Sequence, residues 1–188
     1  MAKSKVDIEV AKMVALLDDD YSSVAEDGIV AGDYDKIYDT GSYSLNALIS
    51  GSIYGGVPEG KVLALAGAEA TGKTFFALSI LQNFLDDDPN AIGVIFESES
   101  ALTKGMLVER NIDVKRVMVV PVQTVQEFKF KALQLLNKYI ETPEAKRLPM
   151  MFILDSLGQL STTKEMEDSN SGSEKKDMTR AGVIKAAF

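Results

Sequence analysis

The chain has 188 residues, 46% of them hydrophobic, which is enough for one domain with a core or one domain with an arm. It contains no cysteine and no histidine, which excludes disulfides and thiolate catalysis and leaves carboxylates, lysines or water as general bases. The formal net charge of −8 excludes a generally basic surface, so nucleic-acid binding would require a local basic patch or parts outside this chain. No apolar run reaches the roughly 20 residues of a membrane-spanning helix, so we expect no membrane span.

The N-terminal part of the chain predicts an arm. Apolar residues at helical spacing predict an amphipathic helix over Val6–Leu17. Its apolar stripe packs either on its own domain or on a neighbouring subunit, and the pattern favours neither. The acidic stretch Asp18–Asp35, broken by glycines, predicts a solvated linker. We therefore predict an N-terminal arm over residues 1–36 and a core over residues 37–188.

The core alternates apolar runs with helical patterns. In chain order we predict a short helix near Leu45–Ser50, strand Val62–Ala66, helix Thr74–Leu85, strand Ile92–Phe96, helix Ala101–Asn111, strand Arg116–Val122, helix Val125–Tyr139, strand Met150–Leu154 and a helical segment over Asp177–Phe188. The strand runs are apolar on both faces, which predicts an α/β fold with a mostly parallel sheet and helices on both faces. Such sheets bind ligands at the carboxyl ends of their strands. Glu165–Lys176 lacks periodicity and predicts a mobile loop.

A complete phosphate-binding loop connects strand Val62–Ala66 to helix Thr74–Leu85. It reads Gly67, Ala68, Glu69, Ala70, Thr71, Gly72, Lys73 and Thr74, which fits G-x-x-x-x-G-K-[ST]. Its glycines allow successive backbone N–H groups to point at phosphate oxygens, and the helix N-terminus adds partial positive charge. Lys73 is expected to contact the β- and γ-phosphates, and the Thr74 hydroxyl to bind Mg²⁺.

Three carboxylates follow predicted strands at the same edge of the sheet. Asp155 follows Met150–Leu154, at a position where a carboxylate beside a phosphate loop holds Mg²⁺. An isolated aspartate after an apolar strand is as often only a turn residue.

 

Paired with the phosphate loop, Asp155 is predicted to lie on the metal side of the site. Glu97 and Glu99 follow Ile92–Phe96, and strand alternation places both on one side. Because the chain has no histidine, one of them is the candidate that orients and polarises the attacking water, while the other is supporting or solvated. The alternative, that both are merely solvated, stays open.

Several segments carry a family resemblance. They are Thr40–Leu45 (Thr-Gly-Ser-Tyr-Ser-Leu), Gly55–Gly60, the phosphate loop, Asp155–Leu160 (Asp-Ser-Leu-Gly-Gln-Leu), Lys164–Asp168 and Asp177–Ala181 (Asp-Met-Thr-Arg-Ala). Together they resemble the RecA-type recombinase family, and within it the strand-exchange recombinases of T4-like phages. The resemblance covers about Ile37–Phe188. The phosphate loop is common to many ATPases, whereas the first segment and those after Asp155 are far more specific.

The resemblance implies a P-loop NTPase fold of the RecA type and an ATP-dependent DNA recombinase. Such a protein forms a filament on single-stranded DNA, pairs it with homologous duplex DNA and exchanges strands as a DNA-dependent ATPase. ATP and Mg²⁺ would bind at Gly67–Thr74 and Asp155, with Glu99 and Lys73 as catalytic residues. Glu165–Lys176 would match the first DNA-binding loop, and Lys175, Lys176 and Arg180 would contact DNA. Implied partners include further copies of the chain, single-strand-binding proteins and mediator proteins, in the cytoplasm of the cell or phage host.

The chain also departs from the family. Glu97 replaces an aspartate, and Ala101–Asn111 lacks the aromatic on which adenine often stacks, with Met106 nearest that position. In the family, the second DNA-binding loop and further strands lie beyond residue 188, so we expect a truncated core, an incomplete sheet and poor stability or self-association. One alternative is an inert nucleotide-binding or filament-interacting fragment. A helicase-type motor is a weaker alternative, because the stretch Asp155–Arg180 argues against it.

Overall fold

The computed structural model describes residues 4–18, 22–29, 32–170 and 179–187. Its helices are α1 (Lys5–Ala15), α2 (Tyr43–Ser50), α3 (Lys73–Asp87), α4 (Lys104–Glu109), α5 (Val125–Glu141), α6 (Thr163–Asn170) and α7 (Arg180–Lys185). Its strands are β1 (Ile37–Tyr38), β2 (Val57–Pro58), β3 (Ile92–Glu97), β4 (Val117–Pro121) and β5 (Met150–Asp155). Across these ranges, no helix combines the length and apolar character that crossing a membrane requires.

The main sheet has three parallel strands in the order β4-β3-β5. Gly93 of β3 lies opposite Val117 of β4 and Met151 of β5. Five of the six β3 residues are buried, as expected for a central strand covered on both faces. The predicted α/β fold with a parallel sheet is therefore confirmed for the described residues.

Helices cover both faces of this sheet and divide its core in two. On one face, α3 and α4 pack on β3, and Leu81 of α3 lies so close to Gly93 that a Cβ there would come within 2.6 Å of it. On the other face, α5 and α7 pack against β3 and β5. Phe96 of β3 contacts Phe128 and Phe152 edge-to-face at 5.0 and 5.4 Å. The contact between Leu81 and Gly93 fixes α3, and with it the end of the phosphate loop, relative to the strand tips.

A small unit before the phosphate loop braces α3 from its outer side. β1 and β2 form an antiparallel pair that the sequence did not predict. The buried Asn46 of α2 accepts hydrogen bonds from the backbone N–H and hydroxyl of Thr40. The Ser79 hydroxyl of α3 donates to the carbonyl of Thr40 at 3.0 Å. The short helix predicted near Leu45–Ser50 is confirmed and begins at Tyr43, after the N-cap Ser42.

The predicted strand Val62–Ala66 is wrong. This segment belongs to no ladder in the described chain, and Val62 is 90% exposed. Apolar composition shows what a segment is able to bury, but a strand also needs neighbours that satisfy its N–H and C=O groups. Within the described residues no strand supplies those neighbours, so the segment leading into the phosphate loop is solvated.

Two further predictions differ from the structure in the extent of a helix. The mobile loop predicted over Glu165–Lys176 is wrong in its first half, because α6 occupies Thr163–Asn170. Thr162 and Glu165 form a capping box there, each side chain accepting the other's backbone N–H. Residues 171–178 lie outside the described residues. The helix predicted over Ala101–Asn111 is shorter, because it begins after the N-cap Thr103.

The predicted N-terminal helix is present, and its apolar stripe is uncovered. α1 begins after Ser4, which forms a capping box with Asp7. None of its residues is buried, and Val6 and Met13 are 70% and 65% exposed. Of the two packing alternatives, the described residues therefore give no support to the one in which this stripe packs on its own domain.

Candidate nucleotide-binding site

The phosphate loop turns tightly into α3. Gly72 is the N-cap of the helix and has φ 88°, a left-handed conformation that glycine adopts without strain. Ala70 is also left-handed, at φ 59°. Within the loop, the Thr71 hydroxyl donates to the carbonyl of Ala68 at 2.8 Å. The loop thus has internal contacts of its own, although the segment before it lies outside the sheet.

The Lys73 ammonium lies against the loop backbone. Its Nζ donates to the carbonyls of Gly67 and Ala68 at 3.0 and 2.7 Å. Carbonyl partners of this kind are exchangeable, because a phosphate oxygen forms a stronger, charge-assisted hydrogen bond with an ammonium group. The lysine is therefore already at the loop and needs only a change of partner to bind an anion.

The first turn of α3 contacts the tip of β5. The Thr74 hydroxyl donates to Oδ2 of Asp155 at 2.7 Å. β5 runs through Asp155 and is parallel to β3, so Asp155 lies at the carboxyl edge of the sheet. The structure thus brings together the two residues that the sequence assigned separately to the metal side of the site.

These two side chains fit Mg²⁺ chemically. A hydroxyl and a carboxylate are hard oxygen ligands, and Mg²⁺ usually keeps several waters and takes only one or two protein carboxylates. Among the described residues no three acidic side chains gather into a metal-binding cluster. A site with Thr74, Asp155, water and substrate phosphates agrees with that composition, and Mg²⁺ would neutralise phosphate charge there.

Glu99 lies beside the same strand tip. Its Oε1 accepts a 2.8 Å hydrogen bond from the hydroxyl of Ser156, the residue after Asp155. Ser98 ties the two strand ends together, because its Oγ accepts from the N–H of Ser156 and its hydroxyl donates to the carbonyl of that residue. The Glu99 side chain is exposed, so it is accessible to water and substrate.

Glu97 does not share this position. It is buried, and its carboxylate accepts backbone hydrogen bonds from Ser100 at 2.7 Å and Ala101 at 2.8 Å. Those bonds stabilise the turn that follows β3. The structure therefore separates the two glutamates: Glu97 holds the backbone, and Glu99 is available to a ligand.

The residues predicted to contact DNA are only partly described. Lys175 and Lys176 lie outside the described residues. Arg180 donates to the carbonyls of Gly158 and Leu160 at 2.8 and 3.0 Å and lies 3.7 Å from the Glu165 carboxylate. It attaches α7 to the chain after β5, so a DNA contact by Arg180 remains a prediction and would have to coexist with these bonds.

Sequence reasoning missed three residues near the site. Ser156 contacts Glu99, and no sequence signal marked it apart from its position after Asp155. Phe75 and Arg110 form a cation–π pair next to the phosphate loop. An aromatic residue directly after the loop motif was a sequence signal for Phe75, but nothing in the sequence linked it to Arg110. Met106 is partly buried in α4.

One curated protein resembles a large part of the chain. The chain is similar to a "Recombination and repair protein" of Enterobacteria phage T4, with 32% identity over 144 residues. The aligned part is 77% of this chain and 35% of that relative, so the chain spans about a third of the relative's length. The chain matches no family model.

Proposed function

We propose that this chain is the ATP-binding part of a recombination and repair protein, with a P-loop fold of the RecA type. The observation that carries the nucleotide site is the 2.7 Å hydrogen bond between Thr74 and Asp155. It joins the phosphate loop to an acidic strand tip, the arrangement that Mg²⁺-dependent phosphoryl transfer requires. The similarity to the phage T4 protein supports the role in recombination and repair.

In this proposal the loop binds the triphosphate and Glu99 activates water. The backbone N–H groups of Gly67–Thr74 surround the phosphates, and Lys73 moves from its carbonyl partners to the β- and γ-phosphate oxygens. Thr74 and Asp155 hold the metal side of the site. Glu99, oriented by Ser156, accepts a hydrogen bond from the attacking water and takes its proton as the bond to the γ-phosphorus forms. The leaving group is the nucleoside diphosphate.

The finer part of the proposal is strand exchange. A filament of copies would bind single-stranded DNA, with homologous duplex DNA as second substrate and ATP between adjacent subunits. Support comes from the residues that resemble RecA-type recombinases and from the position of Arg180 after β5, near the predicted first DNA-binding loop. With a net charge of −8, the chain needs a local basic patch for this, and Lys175, Lys176 and Arg180 are its proposed members.

The uncovered helix α1 supports self-association. Its exposed apolar residues are Val6, Ile8, Val10 and Met13. An apolar stripe of this length favours burial against another surface, because each large apolar side chain gains about 1.5 to 3 kcal/mol on full burial. We propose that residues 1–36 dock on a neighbouring copy, as an oligomerisation arm.

ATP hydrolysis with and without single-stranded DNA tests this function. We expect hydrolysis that DNA stimulates, and a loss of about 100-fold or more in Glu99→Gln, in line with the usual contribution of a positioned base. Glu109→Gln, which changes an exposed glutamate of α4, is the matched control. Hydrolysis that is equal in wild type and Glu99→Gln would contradict the assigned role of Glu99.

The second candidate is a chain that binds nucleotide, or a filament of a longer partner, without turnover. The solvated segment Val62–Ala66 favours it, because this segment enters the phosphate loop without any ladder partner among the described residues. Mg²⁺-dependent ATP binding without hydrolysis, with or without DNA, would select this candidate over the first.

A further inference from the structure

A flat, half-open surface lies next to the phosphate loop. Phe75 follows Thr74 in the first turn of α3, and its side chain is 52% exposed. The guanidinium carbon of Arg110, which follows α4, lies 4.6 Å from the centroid of the Phe75 ring. A cation over one side of an aromatic ring fixes that ring in place, and the contact itself is favourable. The ring is therefore held in position while about half of it stays open.

Arg110 also has hydrogen-bonding capacity that the described residues leave unused. Its Nε is buried and has no hydrogen-bond partner there. No carboxylate in the described part of the chain forms an ion pair with it. Buried polar groups without partners are uncommon, because they lose hydration without compensation. The buried Nε is out of reach of a ligand, but a guanidinium without a described ion-pair partner leaves its positive charge next to the exposed ring, where a planar polar ligand would be favoured.

From this pair we infer a nucleobase subsite: the base of the bound nucleoside triphosphate stacks on the open part of Phe75, and Arg110 holds the ring in position from its other side. The inference rests on the proposed nucleotide site. A nucleoside joined to phosphates at the N-terminus of α3 lies within reach of the first helical turn.

Stacking of this kind depends weakly on the identity of the base. Every base presents a π-face, and truncating the aromatic partner costs about 5- to 150-fold in affinity by analogy with single-stranded nucleic-acid sites. Phosphate contacts, in contrast, are independent of the base. The ratio between the affinity for a nucleoside triphosphate and that for inorganic tripolyphosphate therefore reports the contribution of the nucleoside, and the change of this ratio in a Phe75 variant isolates the contribution of the Phe75 surface.

The experiment is calorimetric titration of the chain with Mg²⁺–ATP and, separately, Mg²⁺–tripolyphosphate. The variants are Phe75→Leu and Arg110→Lys. Phe130→Leu removes another exposed ring, 63% exposed on α5, and is the matched control. We expect Phe75→Leu to weaken ATP binding by about 5-fold or more and to leave tripolyphosphate binding unchanged. Arg110→Lys, which keeps the charge but loses the planar group, should weaken ATP binding in the same direction.

The outcomes separate this inference from the proposed function. If the wild type binds both ligands and Phe75→Leu changes neither, the nucleobase subsite is wrong and the phosphate site stands. If Phe75→Leu weakens both ligands equally, Phe75 acts on the loop and the subsite is again wrong. If the wild type binds neither ligand, the nucleotide site itself fails and the inference fails with it. Circular dichroism of each variant checks that it is folded.

Discussion

Thr74 and Asp155 are 81 residues apart in sequence, and the hydroxyl of the first donates a 2.7 Å hydrogen bond to the carboxylate of the second. This contact joins the first turn of α3 to the end of β5. It exists because Leu81 packs α3 closely over Gly93 in the central strand, while β5 pairs with that strand on one side. The packing of the core thus positions the hydroxyl and the carboxylate of the candidate metal site.

The two glutamates after β3 should respond differently to truncation. Glu97→Ala removes an acceptor from the N–H groups of Ser100 and Ala101, so it should lower the free energy of unfolding by about 2 kcal/mol. Glu99→Ala removes an exposed side chain and should change it by less than about 0.5 kcal/mol. Urea denaturation followed by circular dichroism measures both. Equal losses in the two variants would show that the division of roles is wrong.

Backbone amides should exchange hydrogen at very different rates on the two sides of the phosphate loop. Amides of Val62–Ala66 belong to no ladder and should exchange rapidly, whereas those of β3 lie in the middle of the sheet and should be protected. Hydrogen–deuterium exchange read by mass spectrometry at low protein concentration makes the comparison. Protection of Val62–Ala66 equal to that of β3 would mean that the segment is paired after all.

Arg180 should contribute to stability and DNA binding through different properties. Arg180→Lys keeps the positive charge but loses the planar group that donates to Gly158 and Leu160. We expect a loss of about 1 kcal/mol in unfolding free energy, with DNA affinity nearly unchanged at low salt. Arg180→Ala should weaken both. Denaturation and fluorescence titration with single-stranded DNA test this. Unchanged DNA affinity in Arg180→Ala would remove Arg180 from the proposed patch.

Glu127 should make the stability of the chain depend on pH in the acid range. Its hydrogen bond with Lys131 and that from the N–H of Gln123 lower the pKa of the Glu127 carboxyl below the ordinary glutamate value. Because the folded-state pKa is lowered, the stabilisation is present above the unfolded-state pKa and is lost as pH falls through the folded-state value. Glu127→Gln should therefore flatten the acid limb of a plot of unfolding free energy against pH. Glu109→Gln, which removes one exposed negative charge of α4, is the control for the change in net charge.

The sequence predicted the central elements well because their patterns report burial directly. The apolar run Ile92–Phe96 and the amphipathic pattern of Val125–Tyr139 become β3 and α5 within a few residues. The start of α6 was also readable, since Thr162 and Glu165 have the spacing of a capping box. The segment Glu165–Lys176 has no apolar periodicity and so predicts a loop, but the capping box starts a helix there without it.

Other features depend on contacts that no local pattern contains. Val62–Ala66 has the composition of a buried strand, but whether it pairs depends on strands elsewhere. Glu97 and Glu99 look equivalent in sequence, and only the turn after β3 directs one to the backbone and the other toward Ser156. The pairing of Phe75 with Arg110 likewise depends on how α3 and α4 pack together.

The most direct test of the nucleotide site is a titration with Mg²⁺–ATP of wild type, Lys73→Ala and Lys138→Ala, the last being an exposed lysine of α5 as control. The account predicts Mg²⁺-dependent binding that Lys73→Ala weakens by roughly 10- to 100-fold, the worth of a hydrogen bond to a charged group, while Lys138→Ala binds as wild type. Equal affinities in all three proteins, or binding that is indifferent to Mg²⁺, would contradict the assignment of Gly67–Thr74 and Asp155 as an ATP site.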